Sequence, residues 1–154
     1  MIRLAEEKDI PGIGNLLLQV GEVHHGIRPD IFPGGCLKYD ETALGSLLKD
    51  ENRPVFVSVN GENVMGYCFC VLKEYAQTGV STGRREVYID DLCVDEAHRG
   101  QGIATGLYRH AVAYAKSLGC QFVTLNVWCG NDSAMKFYEK MGLRPRNIML
   151  ETKL

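Results

Sequence analysis

The chain has 154 residues and a mass of 17.1 kDa, which is long enough for one domain to bury a hydrophobic core without disulfides or a structural metal. Hydrophobic residues make up 45% of the sequence and charged residues 23%, which excludes intrinsic disorder and favours a single domain over residues 1–154. The net charge of −2 gives no basic surface for a nucleic acid or an anionic membrane, so we expect neither as a partner.

The N-terminus and the cysteines favour a cytoplasmic protein. Residues 1–8 lack the apolar run and cleavage site of a signal peptide, and no stretch approaches a membrane-spanning length. The six cysteines lie mostly in apolar, strand-like runs, which fits reduced thiols. Paired zinc ligands usually have two or more residues between them, whereas Cys68 and Cys70 have one, so we predict buried thiols and no metal.

The first third of the chain predicts a strand, a helix and an irregular segment. Residues 2–5 alternate as a short strand does, and a helix with an Asp N-cap and an early Pro11 runs over 9–20. The Gly and Pro interruptions of residues 21–39 predict a loop or a broken helix. A short second helix follows from position 40 to about position 49.

The middle of the chain predicts a hairpin, a third long strand and a helix. Two apolar runs, 54–59 and 64–72, flank Asn60-Gly61-Glu62-Asn63, which is typical of a β-hairpin. A further strand is predicted over 86–94. Apolar residues then recur at helical spacing over 103–118.

The last third predicts a buried strand over 122–128, a helix capped by Asn131 that stops at Gly142, and a weaker strand over 144–153. The resulting order, β-α-α-β-β-β-α-β-α-β, has a meander in front and strand-helix-strand crossovers behind. It therefore predicts an α/β fold with a mixed sheet and helices on its faces.

A glycine-rich turn, Arg99-Gly100-Gln101-Gly102-Ile103-Ala104, lies between the predicted strand and helix. Its backbone amides can point at an anion such as a diphosphate at the helix N-terminus. Taken alone, the turn is equally compatible with a tight connection. It comes late in the chain and lacks both the Gly-x-Gly-x-x-Gly spacing and the Gly-Lys-Ser/Thr of a P-loop, which argues against hydride transfer and nucleotide hydrolysis.

In this context the sequence resembles the GNAT N-acetyltransferase superfamily. The signature Arg/Gln-x-x-Gly-x-Gly/Ala is matched by Arg99, Gly102 and Ala104, and the similarity extends to Asn131 and to the run 137–143. The resemblance implies a mixed, largely antiparallel sheet that is splayed between two strands, with helices on both faces. It also implies acetyl-CoA as co-substrate and no metal.

The resemblance further implies which residues bind acetyl-CoA. Free backbone groups of the splayed strand would pair with the pantetheine arm, and amides of the turn would hold the diphosphate. Asn131 either bonds the pantetheine or adenylate portion or simply caps the last helix. The residues assigned to this role are Leu92, Cys93, Val94, Arg99, Gly100, Gln101, Gly102, Ile103, Ala104, Thr105, Asn131 and Tyr138.

Acetyl transfer to an amine requires a neutral nucleophile and a stabilised or protonated leaving thiolate. Tyr138 matches the family tyrosine that faces the sulfur of CoA, which implies a general acid; its position on an amphipathic helix also fits a core aromatic. Asp90 and Asp91 are unexpected in an apolar strand, because buried carboxylates are costly without partners.

The run around Asp90 and Asp91 is similar to the Glu-Asp pair of the diamine and polyamine acetyltransferases, with Asp90 in the position of the base, acting directly or through water. The alternative is a structural carboxylate paired with Arg84, Arg85 or an amide. Strict alternation puts Asp90 and Asp91 on opposite faces unless a bulge reorients them.

The predicted function is acetyl-CoA-dependent transfer, by direct attack, to a primary amine of a small molecule such as a polyamine, an amino-acid derivative or an aminosugar. The alternatives are a protein N-terminal acetyltransferase and a non-catalytic acyl-CoA-binding module. By resemblance a homodimer is possible. The residues assigned to the acceptor are Asp91, Tyr88, His25, Arg28 and Phe32, the last three of which also fit a solvated loop.

Overall fold

The strands follow one another across the sheet in chain order, β1-β2-β3-β4-β5, in a computed structural model that describes all residues from 1 to 154. The strands are β1 (Ile2–Leu4), β2 (Val55–Asn60), β3 (Asn63–Tyr75), β4 (Arg84–Val94) and β5 (Phe122–Leu125). The helices are α1 (Ile10–Ile27), α2 (Glu41–Leu47), α3 (Ile103–Ser117) and α4 (Asp132–Lys140). Short 3-10 turns lie at 7–9 and 96–98.

The sheet is mixed and largely antiparallel, as the sequence predicts. Strands β1 to β4 pair antiparallel. Strand β5 lies parallel to β4, because α3 carries the chain back to the end of the sheet at which β4 begins. None of the helices combines the length and apolarity needed to cross a bilayer.

Two hydrophobic clusters cover the two faces of the sheet. On the face that we call the front, α1 and α2 pack on side chains of β2 and β3 such as Val57, Tyr67 and Phe69. On the back face, α3 inserts Leu107 and two alanines between side chains of β2, β3 and β4. The helices therefore lie on both sides of the sheet, which confirms the predicted fold class.

Helix α1 is longer than the sequence predicts, since residues 21–27 continue it instead of forming a loop. Gly21 has a packing reason: a Cβ there would lie 3.0 Å from the carbonyl oxygen of Cys36, so glycine lets the following loop pass close to the helix. Asp9 also departs from its predicted role. Its carboxylate receives hydrogen bonds from Arg3 and from the Glu6 amide and caps no amide of α1.

The predicted strand over 122–128 is too long, and the predicted strand over 144–153 is absent. Strand β5 ends at Leu125 instead of residue 128, and Phe122 at its start is 49% exposed, because β5 is the outermost strand and pairs only with β4. Residues 144–154 form no strand and make no backbone hydrogen bond. This C-terminal tail is held instead by side-chain ion pairs, from Arg146 to Glu86 and from Arg28 to Glu151.

Glu86 links this tail to the sheet. The side chain is 2% exposed and accepts hydrogen bonds from Arg84 Nε at 2.6 Å and from Arg146 Nη1 at 2.9 Å. Burial by itself would raise the pKa of this carboxyl, but the two guanidinium groups outweigh burial and hold the pKa of Glu86 below its ordinary value. The ion pairs of Glu86 therefore stabilise the folded state at neutral pH, and this stabilisation is lost as the pH falls through the lowered pKa of Glu86.

We expect Glu86→Gln to lower the free energy of unfolding by about 2 kcal/mol at neutral pH, since the two arginines lose their ionised partner. The difference from the wild type should shrink below about pH 4, where Glu86 itself becomes protonated. Urea unfolding over a pH series measures both effects. The control Glu74→Gln, at a 65% exposed side chain paired with Arg85, should change stability by no more than about 0.5 kcal/mol. Equal losses in the two variants would contradict this account.

Candidate active site

A β-bulge in β4 places two adjacent carboxylates on the same face of the sheet. Phe69 of β3 pairs with Asp91 and Cys70 pairs with Ile89, so Asp90 is the extra residue. Ile89 lies in the back cluster, whereas Asp90 and Asp91 both bond to side chains on the front face. The bulge is thus the reorientation that strict alternation would not allow.

Asp90 is held by residues from the loop before α2. The Tyr39 hydroxyl donates to Asp90 Oδ2 at 2.8 Å, and Lys38 Nζ lies 3.0 Å from the same oxygen. Tyr39 is itself fixed, because its ring stacks on Phe69 at 5.5 Å and its hydroxyl accepts a hydrogen bond from Arg53 at 2.9 Å. The carboxylate of Asp90 therefore has a defined position, with the ammonium of Lys38 beside it.

Asp91 lies deeper and receives a hydrogen bond from the Tyr67 hydroxyl at 2.9 Å. Burial raises the pKa of Asp91, and this effect outweighs the opposite influence of the Tyr67 hydrogen bond and of the nearby Lys38 and His24. A carboxylate with a raised pKa takes up a proton more readily than an exposed one. Asp91 is thereby suited to share a proton.

Tyr138 lies on α4, which begins where the side chain of Asn131 accepts a hydrogen bond from the Ala134 amide at 3.4 Å. Burial raises the pKa of Tyr138 well above its ordinary value, with further contributions from Cys68 and from the charge of Asp91. The phenol is therefore protonated at neutral pH and is available as a proton donor. Asn131 acts as the helix cap, one of the two roles that the sequence left open.

The glycine-rich turn leaves a row of free amides at the N-terminus of α3. Gly102 is the N-cap and has no side chain to satisfy them, and the amides of residues 100–105 donate to no group within the protein. Gly100 and Gly102 have φ angles of 77° and 78°, which favour glycine, and a Cβ at either would meet no atom within 4 Å. The turn is thus an open cradle with the geometry of an anion site.

The sheet separates next to this cradle. Strands β4 and β5 pair only between residues 86–89 and 122–125, so β4 from residue 90 onward has no partner on that side. Leu92, Cys93 and Val94 pair with β3 on one side, and their other side borders this opening, which is the predicted splay. The Cys93 side chain itself is buried, and burial raises its pKa to about 12, so the thiol carries no charge.

Three of the predicted acceptor residues lie together near Trp128. The Phe32 ring meets the Trp128 ring edge-on at 5.1 Å, and the Arg28 guanidinium lies 5.9 Å from the centre of the Trp128 ring. His25 fixes this loop, since its Nδ1 lies 2.7 Å from the Phe32 carbonyl oxygen. His24 belongs to the same group, because its ring centre is 5.1 Å from that of Phe32.

Tyr88, the remaining acceptor prediction, lies apart from that group. Its hydroxyl accepts a hydrogen bond from Asn126 at 3.1 Å, and the Lys73 ammonium lies 4.0 Å from its ring centre. The structure thus separates Tyr88 from the loop residues near Trp128.

Sequence reasoning missed Lys38, Tyr39 and Tyr67, the residues that contact the two carboxylates. Lys38 and Tyr39 lie in the segment predicted only as irregular, and Tyr67 reads as an ordinary strand aromatic. A signal for Tyr67 was present, because a buried phenol in a strand usually finds a polar partner, and the neighbouring strand carries two carboxylates.

A family model agrees with this arrangement. The Acetyltransferase (GNAT) family matches residues 22–143, which include the bulge, the splayed strand, the glycine-rich turn and α4. The chain belongs to the GNAT family. GNAT enzymes use acetyl-CoA. Both the cradle and the splay of the sheet are compatible with this co-substrate.

Individual relatives span different parts of the chain. The thialysine N-epsilon-acetyltransferase of Bos taurus is 26% identical over 92% of this chain and 82% of its own length. The N-alpha-acetyltransferase 30 of Schizosaccharomyces pombe is 32% identical over 56% of this chain. The chain spans about half the length of several GNAT relatives, 55% for the yeast protein.

Among solved structures, a mutant of the BH1408 protein of Bacillus halodurans superposes on the whole chain. The TM-score is 0.96 at 30% identity, with 100% of this chain and 99% of the other covered. The same GNAT architecture therefore occurs in an experimentally determined structure.

Proposed function

We propose that this GNAT protein is an acetyl-CoA-dependent N-acetyltransferase whose acceptor is a primary amine of a small molecule. The observation that carries the proposal is the placement of Asp90 and Asp91 on one face of β4, at the point where the sheet opens. Tyr138 lies close enough for the charge of Asp91 to affect it. We assign the base to Asp90, the cation site to Asp91 and the acid to Tyr138.

The chain fits acetyl-CoA at two places. The free amides of residues 100–105 suit the diphosphate. The side of residues 92–94 that β5 leaves unpaired suits the amide groups of the pantetheine arm. Arg99 is exposed beside the turn and adds positive charge there. When bound, acetyl-CoA supplies an acetyl group activated as a thioester.

Side chains of the site then take part in the proton transfers of the reaction. Asp90 accepts a proton from the acceptor's ammonium, directly or through water, so that the nitrogen gains the lone pair needed for direct attack. Asp91 contributes negative charge that keeps the cationic acceptor in place. As the new C–N bond forms and the thioester C–S bond breaks, Tyr138, whose phenol is protonated at neutral pH, donates a proton to the leaving sulfur. The second proton that the nitrogen loses on becoming an amide restores the phenol.

The acceptor class follows from the charge of the site. Adjacent carboxylates attract a cationic amine, and the bovine relative is named for acetylating thialysine, an amine-bearing amino-acid derivative. Polyamines and aminosugars carry the same cationic nitrogen. We assign His25, Arg28 and Phe32 to one wall of the acceptor site, and Tyr88, which lies apart from them, to another.

A second candidate acceptor is a protein N-terminus, because the yeast relative is named an N-alpha-acetyltransferase. The test is release of free CoA thiol from acetyl-CoA with three acceptor panels: diamines and amino-acid derivatives, aminoglycosides, and short peptides with free N-termini. Release with a small amine supports the proposal, and release with peptides alone supports the second candidate. Binding of acetyl-CoA by calorimetry with no release in any panel would favour a non-catalytic module.

We expect Gly102→Val to weaken acetyl-CoA binding about tenfold or more, because a β-branched residue is strained at a φ of 78° and the cradle amides would turn away. Calorimetric titration with acetyl-CoA measures the change. The matched control is Gly79→Val, at a loop glycine where an added Cβ would meet no atom within 4 Å and where φ is not left-handed. Unchanged affinity in Gly102→Val would show that the turn does not hold the diphosphate.

A further inference from the structure

A primary amine of the protein itself, that of Lys38, lies at Asp90, the carboxylate that we assign as the base. Lys38 Nζ is 3.0 Å from Asp90 Oδ2, and it donates a hydrogen bond to the Asp90 backbone oxygen at 3.2 Å. The side chain is 42% exposed, whereas that of Asp90 is 18% exposed. The lysine therefore reaches into the site from solvent.

We propose that Lys38 is a specificity-determining residue that occupies the ammonium position of the acceptor site, and that an acceptor amine binds by displacing it. This inference rests on the proposed function. Its basis is chemical identity, because the ammonium of Lys38 offers Asp90 the same charge and the same hydrogen-bond donors as a primary amine substrate does.

The structure makes Lys38 easy to displace. It lies in the segment between α1 and α2, which forms neither helix nor strand, and the further neighbour of its ammonium is the Tyr39 ring, whose centre is 5.7 Å away. Its long flexible stem regains rotamer freedom in solvent. An exchange of one ammonium for another also leaves the charge of Asp90 compensated.

Asp90 does not depend on Lys38 for its position. The Tyr39 hydroxyl still donates to the carboxylate after Lys38 has moved, and Tyr39 is held by Arg53 and by the ring of Phe69. The acceptor site is thus preorganised while its cation is exchangeable. A competing cation of this kind differs from a structural ion pair, because removal of a structural partner would disturb the position of Asp90.

Competition and structural support predict opposite changes in KM. If Lys38 competes, its removal leaves Asp90 without a cation, and an incoming ammonium gains the full ion pair without first breaking one. We therefore expect Lys38→Met to lower the KM for a small amine about fivefold with kcat within about twofold. If Lys38 instead supports Asp90, the same variant raises KM or lowers kcat.

The experiment compares wild type, Lys38→Met and the control Lys49→Met, whose lysine is 76% exposed and 3.9 Å from Glu7, with 1,4-diaminobutane as the probe amine. Steady-state kinetics are measured wherever CoA is released. Calorimetric binding of the probe to the CoA-bound protein is measured in every case. Lower KM or tighter probe binding in Lys38→Met alone is the expected result.

An equal or weaker interaction of the probe with Lys38→Met overturns the inference, as does absence of probe binding to all three proteins. The proposed function is tested separately by the acceptor panels. CoA release by the wild type with unchanged KM in Lys38→Met would reject the displacement of Lys38 and leave the acetyltransferase proposal standing.

Discussion

Tyr138→Phe is expected to lower kcat about 100-fold and to leave the affinity for acetyl-CoA within about twofold. The substitution removes one hydroxyl and keeps the ring, so the packing against Phe137, with ring centres 5.1 Å apart, is retained. The leaving thiolate then has no nearby phenol from which to take a proton. Steady-state kinetics with an amine identified in the acceptor panels and calorimetry with acetyl-CoA measure the two quantities.

The control for Tyr138 is Tyr114→Phe on α3. The Tyr114 ring packs against Phe56 at 5.5 Å in the back cluster, so loss of its hydroxyl should leave kcat unchanged. Because the pKa of Tyr138 is raised, the wild type should also keep its acid function into the alkaline range. A kcat for Tyr138→Phe within a few-fold of the wild type would assign this tyrosine to packing.

Asp90→Asn is expected to lower kcat/KM about 100-fold near neutral pH. The amide oxygen can still accept the Tyr39 hydrogen bond, so the fold of the site should survive, but the side chain neither takes a proton nor pairs with an ammonium. The deficit should shrink as the pH approaches the pKa of the free amine, about 10 for an alkylamine, because the acceptor then arrives already neutral. A pH profile of kcat/KM for the variant and the wild type measures this recovery.

Two further variants make the Asp90 result specific. Asp50→Asn, in the exposed turn after α2, changes the same functional group away from the site and should have no effect. Asp91→Asn should raise KM more than it lowers kcat, since we assign Asp91 to binding. If instead Asp91→Asn abolishes turnover and Asp90→Asn does not, the roles of the two carboxylates are reversed.

Local patterns in the sequence were sufficient for most of the fold. The hairpin turn at 60–63, the helix stop at Gly119 and the cap at Asn131 are each set by a few neighbouring residues, and the structure has all three. The glycine-rich turn is likewise a local feature. Its free amides follow from the absence of any capping side chain at Gly102.

The sequence-based predictions fail where contacts between residues far apart in the chain determine the structure. Gly21 is typical of a helix break, yet α1 continues through it, and the glycine lets the loop around Cys36 pass close to the helix. The tail at 144–154 has apolar residues suited to a strand, but its arginine and glutamate side chains bind partners elsewhere on the surface. Neither contact has a signature in the neighbouring sequence.

The candidate site was predictable only in its own strand. The alternation of β4 showed that Asp90 and Asp91 were unusual, but the partners Lys38 and Tyr39 lie about 50 positions earlier, in a segment without periodicity. The sequence allows a bulge at this point, and only the register with β3 establishes it. Long-range pairing therefore determines which side chains meet the two carboxylates.

The bulge gives the site an unusual tolerance to changes in chain length. Ile89 belongs to the back cluster and Asp91 faces the front, so these two residues would alternate regularly if they were adjacent. Removing Asp90 would close the ladder and keep the register of β4 on both sides, at the loss of one carboxylate. Loss of a single codon at this position thus removes one charge from the site without reversing the faces of the strand.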